Sequence, residues 1–259
     1  MHHGADLRFS LFGIPVEIRP SFLLIAALLG FSLERVDLIL TWIIIIFVSI
    51  LIHELGHALT ARHYGSDVEI QLNGIGGLTS WSMPEGGITP GRRALIAAAG
   101  SATGLVFGGL IWLATSPMDL TNGLFAFAVV NLVRVNVFWG LLNWLPIRPL
   151  DGGHLFSSLL ERVAPNRGET IANVVFFVTA ATGLVLAIRF RLLFVALIAA
   201  WLLWGEISRM LGPSSPAPVP RLDFDAPAVE EEPVLDAEDA PEGGLADSGG
   251  ETRPGEPDR

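Results

Sequence analysis

Residues 50–59 read Ile50-Leu51-Ile52-His53-Glu54-Leu55-Gly56-His57-Ala58-Leu59 and contain the pattern H-E-x-x-H. On a helix, residues four apart share a face, so the imidazoles of His53 and His57 can point at one metal ion. Glu54 lies one step round the helix, close to where a water on that metal would sit. Two His ligands beside a carboxylate general base form the layout of a zinc hydrolase. The setting is unusual, because residues 38–52 are nearly all apolar. Two histidines and a glutamate are expensive in lipid and default to a functional reading. The structural alternative makes both histidines polar bundle-facing groups bonded to neighbouring helices, and it leaves Glu54 unexplained.

The composition agrees with a membrane setting. The 259 residues are 51% hydrophobic and 16% charged, with a mean hydropathy of +0.54. A soluble domain of this length carries more charge, and several long apolar runs place the chain among polytopic membrane proteins. There is no cysteine, which excludes disulfides and thiolate metal sites, so a transition metal must use His and carboxylate ligands. The net charge of −10 is unevenly placed: residues 1–212 hold 13 Arg and 13 acids, and residues 213–259 hold 3 Arg and 13 acids. Nothing in this distribution suggests nucleic-acid binding.

Working outward from the motif, the pattern predicts six spans. The first, Ser21 to Leu33, is short; the second runs from about Leu38 to Tyr64. Before them, alternation at Leu7, Phe9, Leu11 and Ile14, Val16, Ile18 suggests strand-like or interfacial backbone. No signal peptide is expected, since the first apolar run starts after Pro20 and lacks a convincing cleavage site. After the motif, Asp67 to Asn73 alternates with the period of a half-buried strand, Gly74, Gly76 and Gly77 break it, and Leu78 to Trp81 can form a second strand. Such a hairpin either offers an edge strand to an extended peptide or merely caps the bundle. The third span, about Arg93 to Thr115, carries Gly100, Gly104 and Gly108 at a spacing that allows close helix packing. The fourth, about Leu124 to Leu145, holds Asn131, Arg134, Asn136 and Asn143, which must face the bundle or water. Arg134 can pair with a carboxylate or snorkel to an interface. Pro146 and Pro149 then unwind the chain just before Asp151. A short amphipathic helix from His154 to Ala164 precedes spans five (Thr170 to Ile188) and six (Leu192 to Leu211). Residues 213–259, with 9 of the 17 prolines and many acids, read as a disordered acidic tail.

Six spans put both termini on one side. Nine arginines fall on that side and three (Arg35, Arg189 and Arg191) on the other, which makes the termini cytoplasmic. Spans two and four then run in the same direction. His53, His57 and Asp151 arrive at one depth, and Asp151 would complete a His2-carboxylate site with a fourth position open. The alternative for Asp151 is an ordinary turn carboxylate before two glycines.

The pairing of His53-Glu54-Leu55-Gly56-His57 with Asn143-x-x-Pro146 and Leu150-Asp151-Gly152 resembles the site-2 proteases, a family of intramembrane zinc metalloproteases. The resemblance covers roughly residues 8–211. Residues 12–20, Phe-Gly-Ile-Pro-Val-Glu-Ile-Arg-Pro, look like the small bacterial branch that lacks a PDZ domain. The resemblance implies that His53, His57 and Asp151 bind one Zn2+, that Glu54 is the base, and that Asn143 helps hold substrate or the oxyanion. A Gly-Pro pair typical of the third span stands here as Gly100-Ser101, and no insertion is long enough for a PDZ domain.

The expected fold is therefore an all-α polytopic membrane protein with six transmembrane helices and a small cytoplasmic β-hairpin between helices two and three. Residues 1–212 would form the membrane metalloprotease domain and 213–259 the acidic cytoplasmic tail. The expected function is zinc-dependent endopeptidase cleavage within transmembrane segments of membrane-anchored proteins, in the cell membrane. The resemblance implies anchored regulators such as anti-sigma factors, or signal-peptide remnants, as substrates. Two other readings compete: a multi-spanning zinc protease acting on non-transmembrane peptides, discriminated by the depth of the metal, and a catalytically silent scaffold, discriminated by metal analysis.

Overall fold

The structure is a computed structural model, and it describes residues 6–84 and 86–211. The tail expected at 213–259 lies outside the described residues. Among the described residues, seven α-helices and four β-strands follow in the order β1 (Leu7–Leu11), β2 (Ile14–Ile18), α1 (Pro20–Gly30), α2 (Val36–His63), β3 (Val68–Asn73), β4 (Gly76–Trp81), α3 (Pro90–Thr115), α4 (Gly123–Asn143), α5 (Asp151–Val163), α6 (Gly168–Arg189) and α7 (Leu193–Leu211).

Four helices, α2, α3, α4 and α6, are long and apolar enough to cross a membrane. In their most apolar 18-residue windows only 28, 39, 22 and 22% of residues are buried within the protein, so most of that apolar surface needs a non-aqueous neighbour. The first expected span is shorter than a crossing: α1 has 11 residues and continues only as a 3-10 turn over Phe31–Leu33, against the ~20 residues that a hydrocarbon core requires. The last expected span is α7, an apolar helix of 19 residues.

The expected hairpin is present as β3 and β4, but it belongs to a larger structure. The sheet has four strands in the order β1-β2-β3-β4, with β1–β2 and β3–β4 antiparallel and β2–β3 parallel. The fold is thus mostly helical rather than all-α, and the N-terminal alternation forms strands paired to the hairpin across fifty residues. Hydrophobic burial explains the pairing. Ile14, Val16 and Ile18 of β2 and Ile70 and Leu72 of β3 turn one face onto Ile50, Leu51, Leu55 and Ala58 of α2 and Phe22 of α1. The intervening positions pair Glu17 with Gln71, whose amide donates to the carboxylate at 3.1 Å, and Arg8 and Arg19 each lie 3.1 Å from the same buried carboxylate.

Small residues bring α2 and α3 together. A Cβ added at Gly56 would lie 2.6 Å from both the Ala99 carbonyl oxygen and the Thr103 hydroxyl, so this crossing tolerates only glycine. At the same bundle centre, Asn136 of α4 donates to Ser49 of α2 at 2.9 Å and to its own Leu132 carbonyl at 2.8 Å. Arg134 is exposed and has no ion-pair partner among the described residues.

Candidate metal centre

The H-E-x-x-H stretch lies in the second half of α2, and every residue from His53 to Ala58 is buried. Helical spacing puts His53 and His57 on one face, with their Nε2 atoms 3.2 Å apart. Asp151 comes from the first turn of α5 rather than from an unwound loop. Its Oδ2 lies 3.0 Å from His53 Nε2 and its Oδ1 lies 3.2 Å from His57 Nε2. One ligand atom from each of the three residues lies within 4.8 Å of the others.

The donor set fits a metal. His57 Nδ1–H donates to the Ile96 carbonyl at 2.7 Å, which leaves the Nε2 lone pair for the shared point. His53 presents Nε2 to the same point, while its Nδ1 is buried without a partner. Two imidazole lone pairs and a carboxylate aimed at one another repel unless a cation lies between them. Three such ligands leave a fourth position open, the arrangement of catalytic rather than structural zinc sites.

Asp151 reaches this point because the chain before it folds back tightly. A Cβ on Gly153 would lie 2.8 Å from the Ile147 carbonyl oxygen, and one on Gly152 would collide with the backbone of Trp144 and Leu145. The two glycines therefore let the first turn of α5 press against the segment that follows α4.

Glu54 projects beside the ligands and is buried. The Thr79 hydroxyl of β4 donates to Glu54 Oε2 at 2.6 Å, and a Cβ on Gly77 would collide with the same carboxylate. A cavity of about 470 Å³ opens there, walled by Glu54, His57 and Asp151, by β4 residues from Gly77 to Trp81, and by His154 and Ser158 of α5. Asn143 is buried at the last residue of α4 but is not among these walls and makes no side-chain hydrogen bond to His53, His57 or Asp151.

Three residues contribute contacts to the site that the sequence did not reveal. Gly100 provides the space for His57, since a Cβ there would meet the ring. Ser101, fully buried, donates to Asp151 Oδ2 at 3.3 Å, from the position where the family pattern has proline. Thr79 orients Glu54. The glycine spacing of the third span was a visible signal for Gly100; nothing local marks Ser101 or Thr79.

Fold and site together give a mostly helical protein with four helices long and apolar enough to cross a membrane, a His2-Asp group that could hold one metal ion, and an adjacent carboxylate. The comparisons with known proteins agree. Residues 108–186 match peptidase family M50. The chain is 34% identical over 179 residues to a Synechocystis sp. protein named as a zinc metalloprotease, covering 62% of this chain and 46% of that protein. It is 28% identical over 180 residues to a zinc metalloprotease of Methanocaldococcus jannaschii, covering 64% and 51%. The chain thus spans about half the length of these two relatives. Its structure resembles that of the site-2 protease from Methanocaldococcus jannaschii, with a TM-score of 0.59 and 22% identity over 84% of this chain and 99% of that one. The chain is thus similar to peptidase family M50 over residues 108–186 and shares the fold of a solved site-2 protease.

Proposed function

We propose that this protein is a zinc-dependent endopeptidase that cleaves peptide bonds within or beside the transmembrane segments of other membrane proteins. One observation carries the reading: His53, His57 and Asp151 converge from two helices beside the buried carboxylate of Glu54, and His57, Asp151 and Glu54 line one cavity. The names of the relatives supply zinc as the metal.

His53, His57 and Asp151 would hold the zinc, which would supply a Lewis acid for water activation and carbonyl polarisation near neutral pH. Glu54 accepts the proton of the attacking water and delivers it to the leaving nitrogen, so one water is consumed as one peptide bond becomes an acid and an amine. Thr79 holds Glu54 Oε2, which leaves Oε1 for that proton. The role proposed for Asn143 is to hold the substrate carbonyl from the end of α4; the family resemblance, rather than a contact with the ligands, supports it. The unpaired edge of β4 borders the cavity, and an extended segment pairing there would be a substrate already unwound. That state is required, because the carbonyls of a helical substrate are bonded within its own helix.

The proposed topology has six spans, with α1 and α7 added to the four long apolar helices, and both termini in the cytoplasm. The test of the chemistry is Glu54→Gln. It should retain bound zinc and lose cleavage of a model single-span substrate in detergent, whereas His57→Ala should lose both. Near-normal turnover by Glu54→Gln would refute the assigned mechanism.

A further inference from the structure

Away from the metal, one buried carboxylate is used by nothing described so far. Glu206 of α7 is 1% exposed, in a helix whose first fourteen residues are otherwise uncharged. A carboxylate so placed calls for a partner and a purpose. Its partners are Arg209, one turn on, at 2.8 Å, and Arg148, whose guanidinium is 3.6 Å from Glu206 Oε2.

Arg148 is three residues before Asp151, in the segment folded back between α4 and α5. Its side-chain partners lie on α6 and α7, helices that carry no metal ligand. Its Nη2 donates to Asn173 Oδ1 of α6 at 2.6 Å, and its guanidinium lies 4.7 Å from the centre of the Phe176 ring. Phe176 is fully buried and also meets Phe156 of α5, ring centres 6.1 Å apart. Immediately after the ligand, Gly152 and Gly153 pack against the backbone of residues 144–148, so the first turn of α5 and the segment that carries Arg148 are in direct contact.

We infer that Glu206, acting through Arg148, is a positioning residue for the ligand Asp151. The two arms of the site are then fixed differently. His53 and His57 are set by one continuous helix. Asp151 sits at the start of a helix preceded by an irregular segment with two prolines, and without an anchor it would explore several positions. The guanidinium fork fastens that segment to α6 through Asn173 and to α7 through Glu206. Ser101 meets the carboxylate from the α3 side, and the ion pair sets the backbone that delivers it. The last two helices, which contribute no ligand, thereby act on metal affinity.

This inference rests on the metal-site reading, and its test separates the two. Full-length protein in detergent is stripped of metal, and zinc is titrated against a chromophoric chelator. Arg148→Gln and Glu206→Gln should each weaken zinc binding by roughly 10- to 100-fold, the range for groups that orient metal ligands. The double variant should bind about as the weaker single one does, since both remove the same tether. Arg148→Lys, which keeps the charge for Glu206 but loses the fork to Asn173, should fall between. Asp37→Asn, which breaks an exposed pair with Arg35 at the far end of α2, should bind as wild type. If the buried Glu206→Gln fails to fold, Arg148→Gln still decides, because the Arg148 side chain is 23% exposed. Wild-type zinc affinity in folded Arg148→Gln overturns the positioning role. A wild-type protein with no zinc affinity would instead overturn the reading of the site.

Discussion

Gly100→Ala tests how closely α3 supports the metal centre. An added Cβ would lie 2.5 Å from His57 Cε1, 2.6 Å from Cδ2 and closer still to Nε2, the proposed ligand atom. The ring has little room to retreat, because its Nδ1 is bonded to the Ile96 carbonyl at 2.7 Å and Ile96 belongs to α3 itself. Either the helices part or His57 leaves its position. Overpacking of this kind costs about 1–3 kcal/mol, set against the ~1 kcal/mol that alanine gains over glycine in helix propensity. If the clash is relieved by displacing His57, the cost appears in metal binding as roughly 5- to 150-fold weaker affinity. The control is Gly109→Ala on the same helix, where an added Cβ meets nothing within 4 Å. It should bind zinc as wild type and melt no lower. Chelator competition gives the affinities, and thermal unfolding with and without zinc shows whether the loss lies in the metal-bound state. Gly100→Ala with wild-type zinc affinity and turnover would show that His57 is not seated against α3 as described.

Thr79→Val should keep zinc but lower turnover by about ten- to a hundredfold, since a hydrogen bond to a charged group contributes about 1.5–3 kcal/mol and Glu54 would lose its orienting donor; unchanged turnover would free β4 from any part in the chemistry. Reporter fusions after Gly86 and after Pro213 should read cytoplasmic and one after Pro117 external, and an external signal from the tail would overturn the six-span topology. Truncation after Gly212 should leave insertion, zinc binding and cleavage of a model substrate intact, because the removed residues carry charge −10 and few large apolar side chains; loss of cleavage in a folded, zinc-loaded truncation would assign the tail a catalytic part.

The sequence by itself determined which residues could hold a metal and the mostly helical class. The i, i+4 spacing of His53 and His57 is local, and a helix turns it into one face whatever surrounds it. The apolar runs around α2, α3, α4 and α6 are likewise local statements about length and solvent. Asp151 was legible at longer range because the order of spans placed it at the depth of the histidines, and Pro146 and Pro149 marked the break before it. What only the tertiary structure decided is how other elements meet these groups. The parallel pairing of β2 with β3 joins segments that no local pattern connects, so the N-terminal alternation read as strand-like without a partner. Gly100 showed its spacing but not that His57 fills the space left by its missing side chain. Ser101, Thr79 and Glu206 are ordinary residues in their own segments, and they matter through atoms 50, 25 and 58 positions away along the chain. Periodicity reports which face of an element is buried. Which atom on a distant element meets that face depends on helix crossing and strand register, and these are set only when the whole chain packs.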